Sequence, residues 1–463
     1  MKSSLGIIGM GVMGTSLARN FGRNKYAISI YNRHVPNKEE NVALNKQRTY
    51  DELDHAQAFD DLNLFIASIE RPRKIILMVN AGTTIDIVLE NLSPLLAPGD
   101  VIVDGGNSHF EDTQRRMDTL KKKEIFFIGA GISGGEEGAL KGPSIMPSGE
   151  EEAYALIAPH LEAIAAKDNR GNPCCTYVGA QGSGHFVKMI HNGIEYAEMQ
   201  LLAECYALLK AQQLSNEAMA LIFESWLPDT QSYLLEITIQ ILRKKEQDVY
   251  ILDTILDKAE NKGTGKWSSQ TIADNGIPST MIPAALFARY LSFFKEKRIE
   301  ISQLYSTQEA NISLSNEELK AAYQLGRIIN HHQGFLIIKE VAQQKNWKVS
   351  LSKVAQIWTE GCIIKSSLMQ ELVALLNTED SLLESNRLKG KIKATYPSLK
   401  KLVVQGIENE IHLPCFSEAI NYFNGIKTAY SSANLIQAQR DFFGAHTYKK
   451  VNDPDGKRHH TVW

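Results

Sequence analysis

The chain has 463 residues, 43% of them hydrophobic and 22% charged, with 32 Gly, 14 Pro and a formal net charge of -3. That length exceeds what one hydrophobic core usually organises and predicts two or three domains. The nearly balanced charge excludes the broad basic footprint of a nucleic-acid or anionic-membrane binder, and leaves room for a local anion site.

The cysteines, Cys174, Cys175, Cys205, Cys362 and Cys415, are odd in number and show no CxxC or Cys/His spacing, so reduced thiols and no metal site are expected. No apolar run reaches the roughly 18 residues of a membrane span, and MKSSLGIIGMG runs directly into a strand with no signal-peptide pattern. A cytoplasmic protein is the expectation.

In chain order, LGIIGMG, YAISIYNR, KIILMVN, DVIVDGG and IFFIGAG read as strands alternating with helical patterns. That alternation predicts a Rossmann-like, doubly wound α/β domain with a parallel sheet over residues 1–178. Within it, GTTIDIVLENLSPLLAPGD reads as a helix capped by Thr83 or Thr84 and ended by Pro98 and Gly99. From Gly179 the texture changes to apolar residues at three- and four-residue spacing, which predicts a large all-α domain over 179–443. The join falls in Gly179 to Gly184, and residues 444–463 form an irregular C-terminal tail, too polar and broken for a helix.

Gly9, Met10, Gly11, Val12, Met13 and Gly14 fit GxGxxG between a strand and a helix, where glycines permit a tight turn and bring backbone N–H groups to a pyrophosphate. A Gly-rich turn without ligand is the alternative. The acidic residue expected about 20 positions further on, to bond the ribose hydroxyls of NAD, is missing. Asn32 and Arg33 stand there instead, and a guanidinium can pair with the 2′-phosphate of NADP, although a solvated Arg also fits. VIVDGGNS and GAGISGGEEGALKGPSIM end two more strands, where Asn107, Ser133, Gly134 and Gly135 can present an amide, a hydroxyl and backbone N–H groups to an oxygen-rich ligand.

In GHFVKMIHNGIEYAEMQ, at about 100° per residue, Asn192 and Glu195 lie within about 40° of Lys188, while Phe186, Ile190, Ile194, Ala197 and Leu201 occupy the opposite side. Lys188 and Glu195 are about 10 Å apart along the axis, far enough to flank a small sugar-sized molecule. A solvated polar face explains the same pattern, and periodicity does not choose between the two.

The ordered set DGGNS, ISGGEEGALKGPSIMP, GHFVKMIHNGIEYAEMQ, DKAENKGTGKW and QRDFFGAHTY resembles decarboxylating 6-phosphogluconate dehydrogenases over essentially the whole chain. The resemblance implies oxidative decarboxylation of 6-phosphogluconate to ribulose 5-phosphate with NADP⁺, a step of the pentose phosphate pathway. It assigns proton transfer to Lys188 as base and then acid, and to Glu195 as acid. It places Asn107, Ser133, Gly134, Gly135, His191 and Asn192 on the sugar acid, and Tyr196, Lys262, Thr264 and Arg289 on its phosphate. Cofactor contacts fall on the GMGVMG turn, on Asn32, Arg33 and His34, on Val79, Asn80 and Ala81, and on Asn107. The resemblance also implies a homodimer in which Arg440 and His446 enter the partner's site.

His34, Asn80, Glu260, Leu140 and Lys141 depart from the family pattern, the first two beside the expected cofactor and Glu260 beside the expected phosphate pocket. Two rival readings are another β-hydroxyacid dehydrogenase acting on a smaller unphosphorylated acid, and a catalytically silent nucleotide sensor. KGTGKW with Arg289 and Arg440 argues against the first, and the Lys188/Glu195 pair against the second.

Overall fold

The computed structural model describes residues 2–260, 263–305 and 310–463. One sheet contains β1 (Leu5–Ile8), β2 (Ile28–Tyr31), β3 (Gln57–Phe59), β4 (Lys74–Leu77), β5 (Val101–Asp104), β6 (Phe126–Ser133) and β7 (Ser144–Ser148), in the order β3-β2-β1-β4-β5-β6-β7. Its central strands LGII, KIIL and VIVD are buried at every position, as a sheet covered on both faces requires. This is the expected doubly wound domain, with two additions.

The sheet is not wholly parallel, because β7 runs antiparallel to β6 with Gly129 opposite Ser148. β3 and β7 were also missed as strands: QAF is too short to show a period, and SIMPS carries Pro147, which argues against an interior strand. The helix after β4 corrects a further reading. Thr83 and Thr84 are its first helical residues, Gly82 with φ 87° stands at the cap, and the helix stops at Leu92. A 3-10 turn over Ser93–Leu95 contains Pro94, whose ring removes a backbone donor before Pro98 and Gly99 are reached.

The regular elements of the remaining described chain are helices, apart from a short hairpin of two-residue strands, Lys245–Glu246 with Val249–Tyr250. Two 29-residue helices, Ser183–Ala211 and Asn316–Gln344, run through its core. Buried polar groups fix how neighbouring helices dock. Gln333 Oε1 accepts from the N–H groups of Thr280 and Met281 at the start of the helix Met281–Ser292. The Glu204 carboxylate accepts from those of Cys415 and Phe416 at the start of Pro414–Ile426. These contacts satisfy backbone donors that a helix leaves without partners. No helix among the described residues is long and apolar enough to cross a membrane, and all five cysteines are free and buried.

Sheet and helices meet at almost bare backbone. A Cβ on Gly184 would overlap the Met146 carbonyl oxygen of β7, one on Gly131 of β6 would overlap the Lys188 side chain, and one on Gly129 would reach within 2.9 Å of the His185 ring. The long helix therefore lies directly on β6 and β7. At the other end of the chain, the helix Ala433–Gly444 leads into a tail organised on buried Asp441, which accepts from Thr447 N, His460 Nδ1, Thr461 N and Trp463 Nε1.

Gly131→Ala should destabilise the protein by about 1–3 kcal/mol, because an overpacked methyl must push the helix off the strand. Gly11→Ala, with no atom within 4 Å of the added methyl, should leave thermal unfolding of the ligand-free chain nearly unchanged. Equal melting temperatures for the two variants would contradict this packing account.

Candidate active site

The loops after β1, β4 and β5 converge. Gly9 has φ 100°, and a Cβ on Gly14 would overlap the Gly9 carbonyl oxygen, so the turn needs glycine at both positions. Met10 is buried, whereas Gly11 and Val12 are exposed at the start of the helix Val12–Arg23, with Met13 half-buried behind them. This open cradle at a helix N-terminus fits a dinucleotide pyrophosphate. A Cβ on Gly9 would come within 2.9 Å of Val79, so the β4 loop closes over the turn, with Ala81 half-buried and Asn80 exposed.

At the end of β2, Asn32 Oδ1 accepts from Met10 N at 3.0 Å. Arg33 is exposed and pairs with Glu39 at 2.8 Å, and His34 Nδ1 lies 3.9 Å from Asp60. Exposed Asn107 sits on a loop shaped by Asp104, whose carboxylate accepts from Gly106 N at 3.0 Å and from the Ser108 hydroxyl at 2.6 Å. Buried Arg116 ties this loop to the previous one: it donates to Gly82 O at 2.8 Å and to Asp86 at 2.9 Å, and its Nη1 lies 3.6 Å from Asp104. The sequence reading missed Asp104 and Arg116; the one available signal was an acid ending an otherwise apolar strand in VIVDGGNS.

The polar stripe of GHFVKMIHNGIEYAEMQ is covered, which excludes the solvated-face reading. Lys188 is 6% exposed, His191 0% and Tyr196 6%, while Asn192 and Glu195 are partly open. Lys188 Nζ donates to Asn192 Oδ1 at 2.9 Å and lies 3.4 Å from His191 Nδ1. His191 Nε2 lies 3.3 Å from the Ser133 hydroxyl, so a proton on Nε2 lets the ring accept from Lys188 and donate to Ser133. Glu195 Oε2 is 3.8 Å from His191 Nδ1, which places the imidazole between the two ends of the Lys188/Glu195 pair. Trp358 packs edge-on against the same ring, 5.5 Å between centroids. Gly134 and Gly135, with φ 110° and 64°, turn the chain just after Ser133.

Burial shifts these groups toward their neutral forms. It lowers the Lys188 ammonium from its ordinary range, with Glu195 opposing, and raises the Glu195 carboxyl, with Lys188 and Arg289 opposing. His191 falls well below its usual value, through burial first and the neighbouring Lys188 second. A lysine and a carboxyl both shifted toward their neutral forms on one helix can serve as a base and an acid.

Farther along the helix, the Arg289 guanidinium stacks on the Tyr196 ring at 3.5 Å, donates weakly to the Glu260 carbonyl at 3.4 Å, and makes no salt bridge among the described residues. Thr264 is the first residue of the helix Thr264–Asp274, whose Gly265 lies flat on Tyr196. A cation and a helix N-terminus together suit an anion. Lys262 lies outside the described residues. The Glu260 side chain is exposed, and Lys141 is bound to Glu137 at 2.7 Å on the surface next to half-buried Leu140. Arg440 donates to Gln437 one turn back and His446 lies against Phe443; among the described residues no hydrogen bond or ring contact joins either to the Lys188 cluster.

Two family models cover most of the chain: the NAD binding domain of 6-phosphogluconate dehydrogenase over residues 4–179, and the 6-phosphogluconate dehydrogenase C-terminal domain over residues 184–463. The chain is 42% identical to a decarboxylating 6-phosphogluconate dehydrogenase of Escherichia coli, covering 100% of this chain and 99% of the relative. It is 43% identical, over the full length of both, to a Bacillus subtilis relative named NAD(+)-dependent and decarboxylating. Among solved structures, a Plasmodium falciparum 6-phosphogluconate dehydrogenase, described in its apo form, with its cofactor NADP+ and with its substrate, superposes with TM-score 0.94 at 34% identity, covering 99% of this chain and 100% of that one. With both family models matched, full-length relatives above 40% identity and the same fold from end to end, the chain belongs to the 6-phosphogluconate dehydrogenase family.

Proposed function

We propose that this protein converts 6-phospho-D-gluconate and NADP⁺ to D-ribulose 5-phosphate, CO₂ and NADPH, as a step of the pentose phosphate pathway in the cytoplasm. The observation that carries the reading is buried Lys188, held by Asn192 and His191 at one end of a stripe that finishes in Glu195. The names of the Escherichia coli relative and of the Plasmodium falciparum structure support the substrate.

A dinucleotide whose pyrophosphate is held at the Gly9–Gly14 turn would supply the acceptor for the hydride leaving the substrate's third carbon. Lys188, neutral at the outset, takes the proton of the hydroxyl on that carbon. The product is a β-keto acid whose carbonyl receives the electron pair as CO₂ leaves, and protonated Lys188 donates a hydrogen bond to the developing enolate oxygen. Glu195 then protonates the first carbon of the enediol, giving the pentulose. Asn107, Ser133, Gly134, Gly135, His191 and Asn192 hold the carboxylate and hydroxyls. Tyr196, Thr264 and Arg289, joined by Lys262, hold the phosphate, where a guanidinium with no salt bridge among the described residues has a dianion to meet.

We assign the cofactor pocket to residues 1–178, the substrate and dimer-forming part to 179–443, and the cross-subunit segment to 444–463. A homodimer is supported by the apolar side chains left exposed on the helix Ala433–Gly444, among them Leu435, Ile436, Phe442 and Phe443. A second copy covers them while Arg440 and His446 enter its site.

Lys188→Met should abolish turnover, and Glu195→Gln should lower kcat by about 10²–10⁴-fold, each with substrate affinity within a few fold of the unaltered enzyme. Retained turnover in either removes that residue from the mechanism. Gluconate without its phosphate should be turned over poorly, and equal use of both acids would show that Arg289 and Thr264 do not serve a phosphate. Coexpressed Lys188→Met and Arg440→Ala chains, each inactive alone, should recover about one quarter of full activity, because a mixed dimer contains one intact site. Absence of recovery would contradict the shared site.

A further inference from the structure

An acidic residue at the end of β2 is the usual reader of a nicotinamide cofactor's adenosine ribose. No acid stands at the end of YAISIYNR itself, yet the fold delivers one. Val35 and Glu39 exchange backbone hydrogen bonds, Val35 N to Glu39 O at 2.9 Å and Glu39 N to Val35 O at 2.8 Å, around Asn37 with φ 61°. This tight turn reverses the chain and brings the Glu39 carboxylate back to the strand end. There Glu39 Oε2 accepts from Asn32 Nδ2 at 3.0 Å, and Glu39 Oε1 from Arg33 Nη2 at 2.8 Å. Asn32 in turn accepts from Met10 N, inside the Gly9–Gly14 cradle. One side chain thus separates Glu39 from the turn that holds the pyrophosphate.

Given the dinucleotide reading of that cradle, we infer that Glu39 is a specificity-determining residue that offsets Arg33, so that the enzyme accepts NAD⁺ as well as NADP⁺. Arg33 alone would offer its fork to a 2′-phosphate. With Glu39 on Nη2 and, at 3.4 Å, on Nε, that edge of the fork is already engaged. A phosphate dianion must displace the carboxylate or bind beside it against like-charge repulsion. A ribose with a free 2′-hydroxyl instead finds an acceptor. Hydrogen bonds from Arg33 and Asn32 hold the Glu39 carboxyl below its usual range, so it stays ionised at neutral pH. His34 and Asp60, 3.9 Å apart, add a second acid on the same side.

Glu39→Gln keeps one of the two acceptor oxygens that Asn32 and Arg33 use and removes the charge. NADPH and NADH are titrated into the substrate-free chain, following nucleotide fluorescence, so the result does not depend on which acid the enzyme oxidises. The ratio of the NADH to the NADPH dissociation constant should rise at least about fivefold in Glu39→Gln, and the gain should shrink at high salt. In an Arg33→Gln background the same substitution should change the ratio by a smaller factor, because the part of its effect that runs through the guanidinium is gone. An unchanged or lowered ratio in Glu39→Gln would overturn the inference, as would an equal effect in both backgrounds. If the unaltered chain binds neither nucleotide, the cofactor reading fails as well. If it binds both and does not oxidise 6-phosphogluconate, the substrate reading alone fails.

Discussion

The candidate site depends on one close contact, the helix Ser183–Ala211 lying on β6 with no side chain between them at Gly129, Gly131 and Gly184. Because the backbones approach so closely, the side chain of Lys188 emerges beside the strand that ends in Ser133, and the same approach shuts water away from it. A larger residue at any of these glycines would move the helix outward, and with it the groups carried one, two and three turns along. Position and protonation state therefore have a common origin in backbone packing.

A buried lysine without a carboxylate partner is costly, and the usual resolution is loss of the proton. Here the neighbours oppose that outcome only weakly. Asn192 and His191 supply neutral acceptors, and Glu195, which would stabilise the ammonium, is itself pushed by burial toward its acid form. Elsewhere on the same helix Glu198 meets Arg327 at 2.8 Å in a fully buried ion pair, which ties it to the helix Asn316–Gln344. The helix thus carries a paired buried charge on one face and the neutral-leaning Lys188 and Glu195 on another. The paired charge anchors it, and the other pair is the one to which the proposed function gives the proton transfers.

Much of the α/β half was legible because buried parallel strands leave short apolar runs that are hard to mistake, such as LGIIG and VIVDG. β3 and β7 were not, since a three-residue edge strand and one holding Pro147 carry no such run. The face shared by Lys188, Asn192 and Glu195 was also legible from helical spacing. What covers that face was not, because the cover comes from β6, far upstream, and from Trp358, far downstream. Local periodicity reports which side chains point together, and only tertiary packing decides whether water or protein meets them. Glu39 shows the same limit at shorter range: a turn brings it to a place that spacing alone left without an acid.

The protonation state of Lys188 is the quantity on which the proposed chemistry turns, and ¹⁵N NMR of its Nζ in the substrate-free protein measures it directly, with Lys188→Met protein to assign the signal. The packing of the helix on β6 predicts a titration midpoint clearly below the ordinary 10.5 of a lysine. A midpoint at or above that value would mean that the ammonium is stabilised where it lies, and that Lys188 does not begin the reaction as a base.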